Sequence, residues 1–177
     1  MKLIIISSPA PVPNEHEIIN FLFKEGLEIF HIHKPSFSKE EIKDFTKQMP
    51  SKYHSKIFLH SDFPKFHSLE ELENYHPSKP AQEAFLSPVF DSISKQGYKS
   101  KFSDRLYTLL QFHPSLISAI RGKNIIALGG IDEDKIELVR KTGFAGAAVL
   151  GAIWNSKDPL EKFLRIKAKC QKTDLVR

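Results

Sequence analysis

Short runs of apolar residues alternate along the chain with longer stretches in which apolar residues recur every three or four positions. The short runs are rich in Ile, Leu, Val and Phe and end at polar residues or glycine, a pattern typical of buried β-strands. The longer stretches place their apolar residues on one face of a helix. The pattern predicts six strands, at residues 2–7, 27–33, 55–60, 84–90, 125–130 and 146–150, and a shorter candidate at 65–67.

Residues that can cap a helix precede most of the predicted helices. Three of them have a glutamate three residues later, the spacing of a capping box: Asn14 with Glu17, Ser38 with Glu41, and Ser68 with Glu71. Asp158 followed by Pro159 marks the start of the last helix. Two more helices are predicted at 104–120, where Pro114 should interrupt the helix, and at 132–143.

The alternation of strands and helices predicts a parallel sheet, because a parallel strand needs a crossover helix to return the chain. An open doubly wound sheet and a closed barrel both fit it. Bulky branched strands and polar residues after several strands favour an α/β fold of the TIM-type (β/α) barrel class, as one domain over residues 1–177. Such a barrel usually needs about 200 residues or more. We therefore expect a barrel that is shortened, or lacks a segment, after strand 3.

Composition and charge narrow the classes of partner. Hydrophobic residues make up 41% and charged residues 27% of the chain, as in ordinary globular domains. The net charge of +5 is spread along the sequence, and no basic run with interleaved aromatic residues predicts nucleic-acid binding. The apolar core at 3–6 is too short for a secretion signal, and no stretch approaches the length of a membrane span. With Cys170 as the single cysteine, these features predict a cytoplasmic protein, and a homodimer is left open.

Glycines follow the last two predicted strands, where the chemistry of a β/α fold is usually located. Gly129 and Gly130 lie between a strand and a helix, so that backbone N–H groups can approach an anion closely. Gly151 follows the last strand and would approach the same ligand from the neighbouring position. Tight turns alone would also explain each glycine, but the three together favour a phosphate site.

The segment FLSPVFDSISK begins as a buried strand and ends in hydroxyl groups and a cation. Ser92 and Ser94 can donate hydrogen bonds to an anion, and Lys95 supplies a compact positive charge. The alternative is an ordinary solvated loop. The combination favours an anion-binding loop after this strand.

A His-x-His pair lies at the end of the second predicted strand. His31 and His33 project to the same face, because side chains alternate along a strand. Such a pair is compatible with a zinc site completed by His60 and by Asp62 or Asp91. The alternative is that the histidines line a pocket and hydrogen-bond a substrate, and the lack of further ligands at a characteristic spacing favours the pocket.

Three segments together resemble thiamine phosphate synthase and the related thiazole tautomerase: SPVFDSISK, ALGGI and GAAVLGAI. The loop of the synthase family is Gly-Pro-x-Phe-x-Thr-x-Thr-Lys, and its Pro, Phe and Lys are matched by Pro88, Phe90 and Lys95. Serines replace its glycine and its two threonines: Ser87, Ser92 and Ser94. The family's Gly-Gly turn matches Gly129 and Gly130. The similarity covers most of the chain and is strongest over residues 85–154.

The resemblance implies a β/α barrel that uses Mg²⁺ and joins a hydroxymethylpyrimidine pyrophosphate to a thiazole phosphate, a transferase step of thiamine biosynthesis. Catalytic roles would fall on three residues of the loop: Ser92, Ser94 and Lys95. The thiazole phosphate would be bound by residues after the last two strands: Gly129, Gly130, Leu150 and Gly151. The pyrophosphate and pyrimidine pocket would be lined from the second strand: His31, His33 and Lys34. Asp62 matches the family's first magnesium aspartate.

The chain departs from the family pattern Gln-x-Arg-x-Lys on the second strand, since His33 replaces the arginine and Pro35 the lysine. His67 falls where the tautomerase has a histidine acid/base. The second hypothesis is therefore a proton transfer that aromatises a thiazole phosphate carboxylate without pyrophosphate or metal. Two further alternatives are a catalytically decayed protein that binds a phosphorylated ligand and, last, a zinc-dependent hydrolase built on histidines.

Overall fold

Seven parallel strands alternate with helices in the computed structural model, which describes residues 1–77, 82–91 and 114–172. The strands are β1 Lys2–Ile6, β2 Ile29–Ile32, β3 Ile57–Leu59, β4 Lys65–Phe66, β5 Ala84–Leu86, β6 Ile125–Leu128 and β7 Gly146–Val149. All six strands predicted from the apolar runs are present, each ending before its predicted last residue, and the shorter candidate at 65–67 is β4.

Helices follow most of these strands in the described ranges. They are α1 Glu15–Lys24, α2 Lys39–Lys47, α3 Leu69–Glu73, α4 Pro114–Gly122, α5 Ile136–Thr142, α6 Gly151–Trp154 and α7 Pro159–Gln171. Two short 3-10 segments, Ser51–Lys56 and His60–Asp62, flank β3. None of the helices in this part of the chain is long and apolar enough to cross a membrane.

The helix starts confirm some capping predictions and correct one. Ser38 and Glu41 form the predicted capping box at α2, and the Asp158 carboxylate accepts from the N–H of Glu161 at 2.9 Å at the start of α7. The predicted cap at Asn14 is wrong, because its backbone is left-handed (φ 55°) and its side chain makes no cap hydrogen bond. A capping side chain needs an extended backbone to reach the N–H groups of the first turn.

The strands form one sheet in the order β3-β2-β1-β7-β6-β5-β4. Ile4 in β1 is in register with Ile29 on one side and with Ala148 on the other. The two ends of this order, β3 and β4, are consecutive in sequence and are joined only by residues 60–64. The shortened TIM-type barrel is confirmed as a half-barrel, and the shortening lies at the predicted place after strand 3.

Side chains alternate between two apolar cores along the strands. One core lies between the sheet and the helices and includes Ile5, Phe30 and Val149. The other lies on the opposite, inner face of the half-barrel and consists of Ile4, Ile6, Phe85, Ile126 and Ala148. Polar residues and glycines follow several strands, and we call the carboxyl ends of the strands and the loops after them the carboxyl-terminal rim.

Candidate functional site

The ends of β5 and β6 are joined by backbone hydrogen bonds at the carboxyl-terminal rim. The N–H of Val89 donates to the carbonyl of Leu128 at 2.8 Å, and the N–H of Phe90 donates to the carbonyl of Gly129 at 3.1 Å. The chain after β5 thus runs along the glycine turn that follows β6. The start of the predicted anion loop and the predicted phosphate turn are neighbours.

Only glycine fits this contact. Gly129 and Gly130 have φ angles of 97° and 64°, a region that side chains other than glycine rarely adopt. A Cβ atom on Gly130 would lie 2.1 Å from the carbonyl oxygen of Asp91, and one on Gly129 would lie 2.8 Å from the Cα of Pro88. Both glycines are therefore needed for the close approach of two backbones.

The end of β7 lies beside this turn, because Leu128 and Ala148 are in register across β6 and β7. Leu150 and Gly151 come next, with Gly151 as the first residue of α6. Trp154 in α6 donates its indole N–H to the carbonyl of Ile6 at 2.6 Å. The structure thus brings the four predicted phosphate residues, Gly129, Gly130, Leu150 and Gly151, to adjacent strand ends, and Trp154 fixes α6 to β1.

The predicted catalytic residues Ser92, Ser94 and Lys95 lie outside the described residues. Asp91 is the last described residue before them, and its carbonyl oxygen lies against Gly130. Their place at the site stays a prediction, and its support is the position of Asp91.

His31 lies inside the half-barrel and is fully buried. Its Nδ1 is 3.4 Å from Nδ1 of His60, and its ring stacks on Phe63 with a centroid distance of 4.5 Å. Burial and the positive charge of Lys65 lower its pKa from 6.5 to about 4. His31 was predicted to line the pyrophosphate and pyrimidine pocket. It lies beneath the rim as a neutral group, because the register of β2 places its side chain among the inner aromatic rings.

His60 and His33 lie above His31, toward the rim. Burial, then the charge of Lys65 and the two other histidines, lowers the pKa of His60 to about 3. The rings of His33 and His60 are 5.6 Å apart. His33 is half-buried, and its backbone N–H donates to the Ser7 hydroxyl at 2.7 Å. The rim at β2 and β3 is therefore built from imidazoles, of which His60 is held neutral.

Lys34 was predicted to line the pyrophosphate and pyrimidine pocket, and its charge is buried in an ion pair. Its side chain is 1% exposed, and its ammonium group lies 2.5 Å from the carboxylate of Glu15, whose side chain is 6% exposed. Burial raises the pKa of Glu15 above its usual value, against the lowering effect of Lys34. Because this charge is already paired and buried, Lys34 is not placed to contact a pyrophosphate.

Potential metal ligands are sparse in the described part of the chain. No group of three or more His, Cys, Asp or Glu residues there is arranged to hold a metal ion. Asp62 is exposed at the end of the 3-10 segment that follows β3, and it accepts a hydrogen bond from the Ser61 hydroxyl at 3.3 Å. One exposed carboxylate fits Mg²⁺ that is held chiefly by substrate phosphates, since Mg²⁺ commonly uses one or two carboxylates together with phosphate oxygens.

His67 lies at the end of β4 and faces the end of β5. Its Nδ1 is 2.8 Å from the carbonyl oxygen of Ser87, and its backbone N–H donates to the Glu71 carboxylate. A carbonyl can only accept a hydrogen bond, so Nδ1 carries the proton and Nε2 is the atom that can exchange one. The contact with Ser87 therefore fixes the tautomer of His67.

Sequence reasoning missed two residues that organise the rim. Ser7 was assigned to a strand only, yet its hydroxyl holds the backbone of His33. His60 was considered only as a zinc ligand, whereas it connects His33 to the buried His31. A hydroxyl directly after an apolar strand was the available signal for Ser7.

The chain is thus an α/β protein of the TIM type, with glycine turns and histidine side chains at the carboxyl ends of its strands. No family model matches its sequence. Two curated thiamine-phosphate synthases are similar to it in sequence. The one from Limosilactobacillus reuteri is 35% identical over 51 residues, which are 29% of this chain and 24% of that protein. The one from Prochlorococcus marinus is 30% identical over 115 residues, 64% of this chain and 31% of that protein. This chain spans about a quarter to a third of the length of these curated relatives.

A solved structure matches over almost the whole chain. The crystal structure of thiamine phosphate pyrophosphorylase from Bacteroides thetaiotaomicron has a TM-score of 0.74 and 26% sequence identity, over 98% of this chain and 100% of that one. Together with the sequence matches, it shows that the chain is similar to thiamine phosphate synthases in sequence and in fold.

Proposed function

We propose that the protein couples a hydroxymethylpyrimidine pyrophosphate to a thiazole phosphate and releases pyrophosphate, as a thiamine phosphate synthase. The observation that carries the proposal is the contact between the Gly129–Gly130 turn and residues 88–91. This contact places Asp91, the residue before Ser92, next to the glycine turn, which supports binding of both phosphorylated substrates at one end of the fold. The names of the relatives support the same activity.

The thiazole phosphate would be bound between the ends of β6 and β7. Backbone N–H groups of Gly129, Gly130 and Gly151 are suitable donors for phosphate oxygens, and Leu150 positions the last of them. A side chain on Gly130 would meet the Asp91 carbonyl, so the turn keeps its backbone at the surface of the site.

The pyrophosphate would be bound by the loop after β5. The bond between the pyrimidine methylene carbon and the pyrophosphate oxygen breaks, its electron pair leaves with pyrophosphate, and the thiazole nitrogen forms the new bond to carbon. Ser92, Ser94 and Lys95 would stabilise the charge on the leaving group. Mg²⁺ would neutralise part of the same charge when bound, with Asp62 as its protein ligand. His33, next to His60, would lie beside the pyrimidine.

The test is the coupling reaction with purified protein, both substrates and Mg²⁺, followed by release of pyrophosphate and formation of thiamine phosphate. We expect turnover by the wild type and a loss of at least about a hundredfold in Lys95→Met, the scale for one electrostatic group at a transition state. Lys56→Met, at an exposed lysine before β3, is the matched control and should keep full activity. Binding of the thiazole phosphate without any release of pyrophosphate would refute the proposal.

The thiazole tautomerase reaction is the second candidate, and the bond from His67 to Ser87 favours it. This bond leaves Nε2 of His67 to move a proton at the thiazole ring. We expect His67→Gln to abolish tautomerisation and to leave the affinity for thiazole phosphate unchanged. The exposed His76 provides the control His76→Gln. Unchanged tautomerisation in His67→Gln would end this role.

The remaining sequence expectations are part of the proposal. They are a single domain over residues 1–177, small phosphorylated substrates rather than nucleic acid or membrane as partners, and a cytoplasmic location. A homodimer stays open, and the mass of the purified protein in solution would decide it.

A further inference from the structure

A buried ion pair connects the first two βα loops of the half-barrel. The ammonium group of Lys34, directly after β2, lies 2.5 Å from the carboxylate of Glu15, the first residue of α1. The same ammonium donates to the carbonyl of Ala10 in the loop after β1 at 3.2 Å. One side chain thus holds both the loop and the helix that follow β1.

Aromatic rings enclose this ammonium group from the side of α2. Its Nζ is 5.8 Å from the ring centroid of Phe37 and 5.3 Å from that of Phe45, distances at which a cation is attracted to a ring face. Phe37 lies in the loop after β2, and Phe45 is a buried residue of α2. The contacts of Lys34 therefore join elements that follow two different strands.

The same two strand ends are also joined by the Ser7 hydroxyl. The N–H of Ser7 donates to the carbonyl of His31 at 2.8 Å, and the Ser7 hydroxyl accepts from the N–H of His33 at 2.7 Å. His33 is thus held by Ser7 on one side and is followed directly by Lys34. Movement of the loop after β1 would carry His33 with it.

Stability alone is a weak explanation for this ion pair. Removing two charges from water costs several kcal/mol for each ion, and an apolar pair of similar volume is often as stable or more stable. An apolar pair would not make directional hydrogen bonds, whereas the ammonium group of Lys34 bonds both the Glu15 carboxylate and the Ala10 carbonyl. The arrangement therefore favours a role in positioning the segments that these groups belong to.

We propose that Lys34 is a positioning residue, which through Glu15 and Ala10 fixes residues 8–14 and 33–38 relative to each other and thereby sets the position of His33. The proposal rests on the proposed function, in which His33 lies beside the pyrimidine pyrophosphate. The thiazole phosphate is assigned to the ends of β6 and β7, away from these loops. Loss of the ion pair should therefore affect one substrate and not the other.

The variants are Lys34→Met, which removes the charge at similar length, and the double variant Lys34→Met/Glu15→Met, which removes both buried charges. Lys47→Met is the control, since Lys47 forms an exposed ion pair with Asp44 on α2. Hydrogen exchange followed by mass spectrometry reports the order of residues 8–14 and 33–38. The KM for each substrate is measured in the coupling reaction.

We expect faster exchange in both segments of the two Lys34 variants and a KM for the pyrimidine pyrophosphate raised about tenfold or more, the effect of about 1.4 kcal/mol of lost binding. The KM for the thiazole phosphate should stay within about twofold of wild type. The double variant should regain thermal stability relative to Lys34→Met without regaining the KM. A double variant with wild-type exchange, or with equal changes in both KM values, would overturn the proposal. If the wild type lacks coupling activity, the proposed function fails, and the exchange rates still decide the role of Lys34.

Discussion

The buried histidine pair predicts that the fold weakens in mild acid. His31 and His60 have pKa values of about 4 and about 3, against 6.5 for an unperturbed imidazole. Burial is the largest cause for both, and the nearby Lys65 charge adds to it. Between pH 6.5 and 4 the unfolded chain therefore binds protons at these positions that the folded chain does not bind. The free energy of unfolding must rise with pH in this window and fall as the pH falls.

The magnitude follows from the folded values. Each histidine that is neutral in the folded chain and protonated in the unfolded chain costs about 1.4 kcal/mol per pH unit below 6.5. Since both folded values lie below 5, both side chains are still neutral at pH 5 in the folded protein. The expected loss at pH 5 is then about 2 kcal/mol for each histidine and about 4 kcal/mol for the pair. A domain of ordinary stability has about 5–15 kcal/mol in total.

The assay is urea unfolding at pH 7, 6 and 5, with the wild type and His31→Leu compared at each pH. The variant is expected to be less stable at pH 7, because it loses the stacking on Phe63 and removes the buried polar partner of His60. Its further loss between pH 7 and pH 5 should be about 2 kcal/mol smaller than in the wild type. His76→Gln, at an exposed histidine, should follow the wild type. Equal pH dependence in the wild type and His31→Leu would refute the reasoning.

Three further predictions concern single positions. Gly130→Ala should lose thiazole phosphate affinity in a binding titration and be strongly destabilised, because the φ angle of Gly130 is positive and the new Cβ would meet the backbone of Asp91. Gly122→Ala is the control and should change neither property, because no atom lies near its new Cβ. Trp154→Phe removes the indole donor to β1 and should lower the free energy of unfolding in urea by about 1–3 kcal/mol, with no loss as the contrary outcome. Asp158→Ala should cost about 1 kcal/mol in the same measurement, and Asp158→Asn, which keeps a capping oxygen, should restore most of it.

The order of strands and helices was predictable because apolar periodicity depends on short stretches of sequence. The gathering of the glycine turn and residues 88–91 was also predictable, since the carboxyl ends of parallel strands meet at one edge. The contact itself was not, because it depends on the register of β5 against β6 and on two positive φ angles.

The burial of individual side chains and their pairing with residues far away in the sequence could not be predicted. Alternation correctly placed His31 and His33 on one face, but only the register of β2 shows that the first is buried and the second lies near the rim. Lys34 looked like a free cation beside them because its partner, Glu15, lies nineteen residues earlier in another element. The missed features are those in which a distant segment decides the environment of a side chain.

These placements shift the expected source of positive charge in the proposed reaction. In the family pattern an arginine and a lysine of the second strand help hold pyrophosphate, whereas here His33 and Pro35 stand at those positions and Lys34 is neutralised by Glu15. His60 beside them is held neutral by burial. The charge on the leaving pyrophosphate must then be met mainly from the loop after β5 and from Mg²⁺ at Asp62. On this argument the proposed reaction would depend on Lys95 more strongly than the family pattern implies.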